Sequence, residues 1–265
     1  MARDPHIRRP GPTATAAPAA WRVPGPGAAG FTIVEMSVVL VIIALILGAV
    51  SIGRDVHRSA VAERIATDFV QGWTLAYDRY VIQVGAVPGD DIGNPTGRVH
   101  GDGTPPDGIP AGALCGKELR QAVLERGIAL PQGRAEGRET QYVYRDSGGN
   151  PQELQVCFMN VPDWAEPSAT TANAYVPRSR NVMLLAGMTP ELAGLMDARV
   201  DGSIDAQFGR LREQGQHNGT SMVPDESRPW SSDELGLTYD GDDPDGDPDE
   251  GGQVVPLNGY LKMTQ

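Results

Sequence analysis

From Phe31 to Gly53 apolar residues follow one another with a single acid, Glu35, near the front, and no charged side chain interrupts Ser37 to Gly53. As a helix this stretch spans roughly 34 Å, enough for a bilayer core of about 30 Å. Beyond it the pattern changes without breaking. Val61, Ile65, Phe69, Trp73, Ala76, Tyr80 and Val84 recur at steps of three or four, while Arg58, Arg64, Asp68, Asp78 and Arg79 mostly take other faces. That spacing predicts one continuous helix from about Thr32 to Val84, apolar all round in its first half and striped in its second. Gly85-Ala86-Val87-Pro88-Gly89-Asp90-Asp91 stops it.

The rest of the chain is punctuated more densely. Asp90 to Pro110 is polar and rich in Gly and Pro, a loop; Ala113–Arg126 reads as a short helix carrying Cys115 and closed by Gly127. Gln141–Arg145 and Glu153–Met159 alternate apolar and polar residues around Asp146-Ser147-Gly148-Gly149-Asn150, which predicts a hairpin with Cys157 on its second strand. Asn181–Leu185 reads as a further strand. Thr189, Pro190 and Glu191 supply an N-cap, a proline at the first helical position and an acid in the first turn, so a helix runs to Val200 with Gly202 as its stop. Gln253–Met263 returns as a last edge strand, its pairing limited by Pro256 and Gly259. The expected fold class is α+β: a long N-terminal spine helix packed, by its outer half, on a small antiparallel sheet.

Composition sharpens this picture. Hydrophobic residues make up 40% of 265, partly spent on the apolar run, and 33 Gly with 22 Pro dilute what remains, which points to a loop-rich globular part. The formal charge is -12; residues 1–30 carry Arg3, Arg8, Arg9 and Arg22 against Asp4, so the chain beyond them stands near -15. Such a surface repels phosphate backbones and weighs against nucleic acid as a partner. Cys115 and Cys157 both lie beyond the apolar run. In an oxidising compartment they form a natural disulfide, whose loop of about 42 residues is worth roughly 4 kcal/mol by chain entropy; the alternative is two reduced, buried thiols.

Glu35 is the residue that ordinary anchoring does not explain. A carboxylate inside a membrane costs about 2.5–3.5 kcal/mol on insertion scales, which calls for a partner. An amine at the same depth appears if the chain is cut between Gly30 and Phe31. Gly30-Phe31-Thr32-Ile33-Val34-Glu35 closely resembles the class III signal of type IV prepilins and pseudopilins. The resemblance implies cleavage after Gly30 by a prepilin peptidase, methylation of the new Phe31 amine, and neutralisation by Glu35 of a neighbouring subunit's N-terminus during assembly. It implies three parts: a leader over 1–30, a transmembrane and assembly segment over 31–53, and a periplasmic pilin-like domain over 54–265 that includes the striped helix to about 84. It also implies other pilin or pseudopilin subunits and an inner-membrane assembly platform as partners. The Arg residues of the leader put the N-terminus on the cytoplasmic side of a single-pass inner-membrane protein, bound after assembly for a periplasmic or extracellular filament. The leader is longer than the family usually carries.

Two further segments carry the likeness. Tyr80 stands a few residues before the apolar-Pro-Gly-Asp turn, as at the end of the long helix in minor pilins. Leu195-Met196-Asp197-Ala198-Arg199-Val200-Asp201-Gly202 followed by Gly209-Arg210-Leu211-Arg212 resembles a minor-pilin helix end leading into a strand, with Arg199 in place of a Lys and one Asp before the Gly.

Other chemistry is sparse. Asp197 and Asp201 are a helical i, i+4 pair with no His or nucleophile linked to them in sequence, and the four histidines are scattered. Nothing resembles a zinc set, a catalytic triad, a phosphate loop or a dinucleotide fingerprint; the chain reads as a substrate of the peptidase and not as an enzyme. Calcium is the one cofactor in view: Asp240, Asp242, Asp243, Asp245 and Asp247, among Gly and Pro, offer oxygen ligands, although no register fits an EF-hand and a solvated loop is the plainer reading. The expected function is that of a structural subunit of a type IV pilus-like filament, minor more than major. A pseudopilin of a type II secretion system shares the signal. From other classes, a membrane-anchored periplasmic enzyme or binding protein would keep its leader, and a tip adhesin or DNA receptor would need an exposed basic or aromatic patch.

Overall fold

The computed structural model describes residues 31–172, 174–220, 228–232 and 254–264, except for the side chains of Arg54 and Asp55. The chain divides into two compact units, 1–51 and 52–265. Helix α1 is Ile33–Arg64, followed by a π-helical segment, Ile65–Val70, and by α2, Gln71–Val84. The expected continuous helix is present, with a bulge that the sequence reading did not foresee. Its cause is arithmetic. Four-residue steps advance a 3.6-residue helix about 40° past each full turn, so Val61, Ile65, Phe69 and Trp73 would wind off the core. The wider π segment absorbs the surplus. Ile65, Phe69, Trp73 and Tyr77 are all fully buried as a result. Gly85, at φ 75°, ends α2 in the left-handed conformation, its N–H bonded to Val81 O.

Six strands form one antiparallel sheet: β1 (Leu114–Cys115), β2 (Gln141–Arg145), β3 (Pro151–Pro167), β4 (Tyr175–Met188), β5 (Leu211–Glu213) and β6 (Leu257–Lys262). Their order is β1-β3-β4-β6-β5, with β2 also paired to β3. Helix α3 is Gly116–Leu124 and α4 is Pro190–Asp201. Thr189 caps α4 by accepting from Leu192 N, and Gly202 closes it at φ 82°, as its sequence foretold.

Three expectations need correction. Cys115 is not helical: Leu114 and Cys115 pair with Phe158 and Cys157, and the helix starts one residue later. The β3–β4 ribbon is far longer than the predicted strands, because Pro162 falls where the register shifts between Val161 and Trp164 and so interrupts no regular ladder. The last strand is not an edge but lies between β4 and β5. Pro256 stands just outside it. Gly259 permits the close packing there, since a Cβ at that position would meet Met188 Cε at 2.4 Å.

Alternation along β3 sends successive residues to opposite sheet faces. Val156 and Phe158 join the helix-side core with Ile65, Phe69, Trp73, Met183 and Leu185. Cys157 and Met159 join a second cluster with Trp164, Val182, Leu184 and Tyr260. Arg212 closes that second face. Its guanidinium lies 4.1 Å over the Trp164 ring, and it donates to Ala165 O at 2.8 Å, His217 O at 2.9 Å and Gly209 O at 2.9 Å. Ala165 N also donates to His217 O at 3.1 Å. These bonds join β3 to the turn after β5, across two intervening strands, so the sheet curls over its second cluster.

Candidate assembly and anchoring site

The helix that opens the described chain starts where its cap dictates. Thr32 Oγ1 accepts from Glu35 N at 3.2 Å, and Thr32 O accepts from Met36 N at 3.1 Å. That is the Thr-x-x-Glu arrangement expected of a helix start. Phe31 is exposed and lies before the first turn, and Glu35 lies within it. A carboxylate there lies beside the free N–H groups of the first helical turn. Gly30, on the other side of the expected cleavage point, lies outside the described residues.

The side chains that follow are apolar on every face. Val38, Leu40, Val41, Leu45 and Leu47 are all exposed, and Ser37 spends its hydroxyl on Val34 O at 2.7 Å. Apolar surface of this extent has to be covered by lipid or by like helices. Within Ile33–Val84 the chain has a helix long and apolar enough to cross a membrane.

The folded unit bears out the disulfide. Cys115 and Cys157 are opposite one another in the β1–β3 ladder, with Cα atoms 4.5 Å apart, and are bonded. The bond ties the start of α3 to the middle of the sheet.

Asp197 and Asp201 prove to be organisers of the chain that follows them. Asp201 Oδ2 accepts from Arg210 N at 2.8 Å and Leu211 N at 2.9 Å, which sets the entry to β5. A Cβ on Gly209, at φ +97°, would meet that oxygen at 2.4 Å, so the position requires glycine. Asp197 is fully buried; its Oδ2 accepts from Asp205 N at 2.7 Å and from Trp230 Nε1 at 3.2 Å. Asp205 and Trp230 are partners that spacing along the sequence could not supply. Among the described residues no His joins them: His217 instead bonds Asp163 through Nε2 at 3.2 Å, and its Nδ1 accepts from Gly215 N. Burial pushes the Asp197 carboxyl up to about 7, helped by Asp201 and Asp205.

A raised carboxyl means that the folded chain holds a proton which the unfolded chain releases near pH 4. Its contribution is therefore complete below that point and is lost as pH climbs through about 7. Asp197→Asn keeps an oxygen for both donors and removes the charge. Urea midpoints of the full chain in detergent should fall from pH 5 to pH 8 in the wild type, and fall less in the variant. Equal slopes would count against the assignment.

The expected calcium ligands Asp240, Asp242, Asp243, Asp245 and Asp247 lie outside the described residues. Among the described residues no group of three or more His, Cys, Asp or Glu is placed to hold a metal ion.

A capped apolar helix with an acid in its first turn, followed by an antiparallel sheet, defines a pilin-like α+β protein. The prokaryotic N-terminal methylation motif matches residues 26–51, and this is the type IV prepilin signal. The match covers the signal and the apolar segment, not the sheet. No curated protein and no solved structure matches the chain.

Proposed function

We propose that this chain is a structural subunit of a type IV pilus-like filament, processed by a prepilin peptidase after Gly30 and N-methylated at Phe31. The observation that carries the reading is the methylation motif over residues 26–51, together with Glu35 in the first turn of the helix. The subunit waits in the inner membrane with its leader in the cytoplasm and its sheet in the periplasm. Glu35 attracts the Phe31 amine of a neighbour, and the apolar helices bundle as subunits leave the lipid. Two desolvated charges gain little net stability from pairing, so the ion pair sets register and helix burial supplies the bulk. The chain acts by assembly and not by catalysis. The same signal serves a pseudopilin of a type II secretion system, and the phenotype of a deletion, lost pili or lost secretion, separates the two.

Mass spectrometry of the mature N-terminus is the direct test. A chain that begins with methylated Phe31 supports the reading, and one that keeps Met1 overturns it. Glu35→Ala should leave insertion and cleavage intact while the amount found in sheared filaments drops severalfold. Wild-type incorporation of that variant would remove the ion-pair step.

A further inference from the structure

The sequence has two Asn-Gly pairs, Asn218-Gly219 and Asn258-Gly259, and the fold treats them in opposite ways. An asparagine followed by glycine is set for ring closure. The next backbone nitrogen lies one bond short of a five-membered ring with the side-chain amide carbon, and glycine has no Cβ to obstruct the approach. Asn258 is denied that chemistry. It stands inside β6, where Gly259 pairs with Leu185 on one side and Glu213 on the other. Its Nδ2 donates to Gln214 Oε1 at 2.9 Å and to Gly108 O at 3.2 Å, and its Oδ1 accepts from Gly187 N at 3.2 Å.

Asn218 is exposed, at the end of the turn that follows β5. Gly219 N makes a local turn bond to Gln216 O at 3.0 Å, and no ladder holds it. An exposed bond of this kind opens far more readily than a strand ladder does. Asn218 Nδ2 donates to Asp163 Oδ2 at 2.8 Å, while the other oxygen of that carboxylate is engaged by His217 Nε2 at 3.2 Å. Gly215 N donates to His217 Nδ1 at 3.2 Å, which leaves the ring hydrogen on Nε2 and aims it at Asp163. The carboxylate is thus fixed beside the nitrogen that ring closure would expel, and it draws the positive charge that develops there as that nitrogen leaves.

We propose that Asn218-Gly219 is a self-deamidation site, and that its conversion loosens the clasp of Arg212 over the second cluster. Gly219 N attacks the Asn218 side-chain carbon: that C–N bond forms, the bond to Nδ2 breaks, and the Gly219 N–H proton leaves with Nδ2 as ammonia. Water then opens the cyclic imide at either carbonyl, giving aspartate or isoaspartate. Both products remove the donor to Asp163 and add a negative charge near it. Isoaspartate also lengthens the main chain at residue 218. The carbonyl of the preceding residue, His217, is the acceptor for both Arg212 Nη1 and Ala165 N, so the disturbance falls on the clasp.

Purified full chain in detergent, held at pH 8 and then digested, should gain acid in place of amide severalfold faster in the Asn218 peptide than in the Asn258 peptide, part of it as isoaspartate. Equal rates at the two pairs, or an intact Asn218, would overturn the site. Asn218→Gln keeps an amide but closes only a six-membered ring, so its peptide should stay unconverted. Gly219 is left in place, because a Cβ there would meet Gln207 Cδ at 2.5 Å. Hydrogen exchange reads the effect on the clasp. The Ala165 amide should exchange severalfold faster in the aged wild type than in aged Asn218→Gln, and Asn218→Asp should share the faster exchange. Unchanged protection of Ala165 in the converted chain would overturn the link to the clasp. Neither readout depends on cleavage or assembly.

Discussion

Trp73→Ala will lower the unfolding free energy of the full chain by about 3–5 kcal/mol, the range seen for large aromatic truncations in a core. Trp73 is fully buried, its Nε1 donates to Glu139 O at 3.1 Å, and its ring meets Phe158 edge-on at 6.2 Å. The truncation removes apolar contact, leaves a carbonyl without its donor and opens a void between helix and sheet. These effects add because they fall on one side chain. Urea unfolding in detergent, followed by circular dichroism, reads the result. A loss under about 1 kcal/mol would mean that the helix does not depend on this anchor.

Reduction of the Cys115–Cys157 bond comes second. Its loop of 42 residues is worth roughly 4 kcal/mol in the chain-entropy account. The Cys115→Ser, Cys157→Ser double variant should unfold at a clearly lower urea concentration than the oxidised wild type, and the reduced wild type should match the variant. Identical midpoints with and without reductant would show that β1 holds α3 to the sheet by packing alone.

What the sequence made legible was whatever a local pattern encodes. The long apolar helix, the striped helix, the Gly85 stop, the Thr189 cap and the Gly202 terminus each rest on neighbours within a few residues, and each is present. The Cys115–Cys157 pair was legible for a different reason, since two cysteines leave one intramolecular bond to make. The π segment was written in the four-residue steps from Val61 to Trp73, but recognising it required a core for those residues to face. The place of β6 was hidden because Pro256 and Gly259 look like disruption until the neighbours are known; Gly259 is small because Met188 and Trp230 crowd it. Asp197 and Asp201 looked like a pair. Folding separates their tasks, since each grips backbone or side-chain N–H groups on segments that sequence distance keeps apart. The signal around Glu35 was readable at once, whereas the tie between Arg58 and the β2–β3 turn emerges only from the fold.

The curl of the sheet has a consequence for acid tolerance. Glu166, bridged by Arg180 and Lys262, is held down to about 2, so its support is present above the usual carboxylate range and lost as pH falls through that value. Arg212 is bound differently: peptide oxygens and an indole face hold it, and neither takes up a proton in that range. The clasp over the second cluster therefore loses none of its own acceptors in acid; what acid adds there is a proton on His217, whose imidazole burial and Arg212 hold below its usual range.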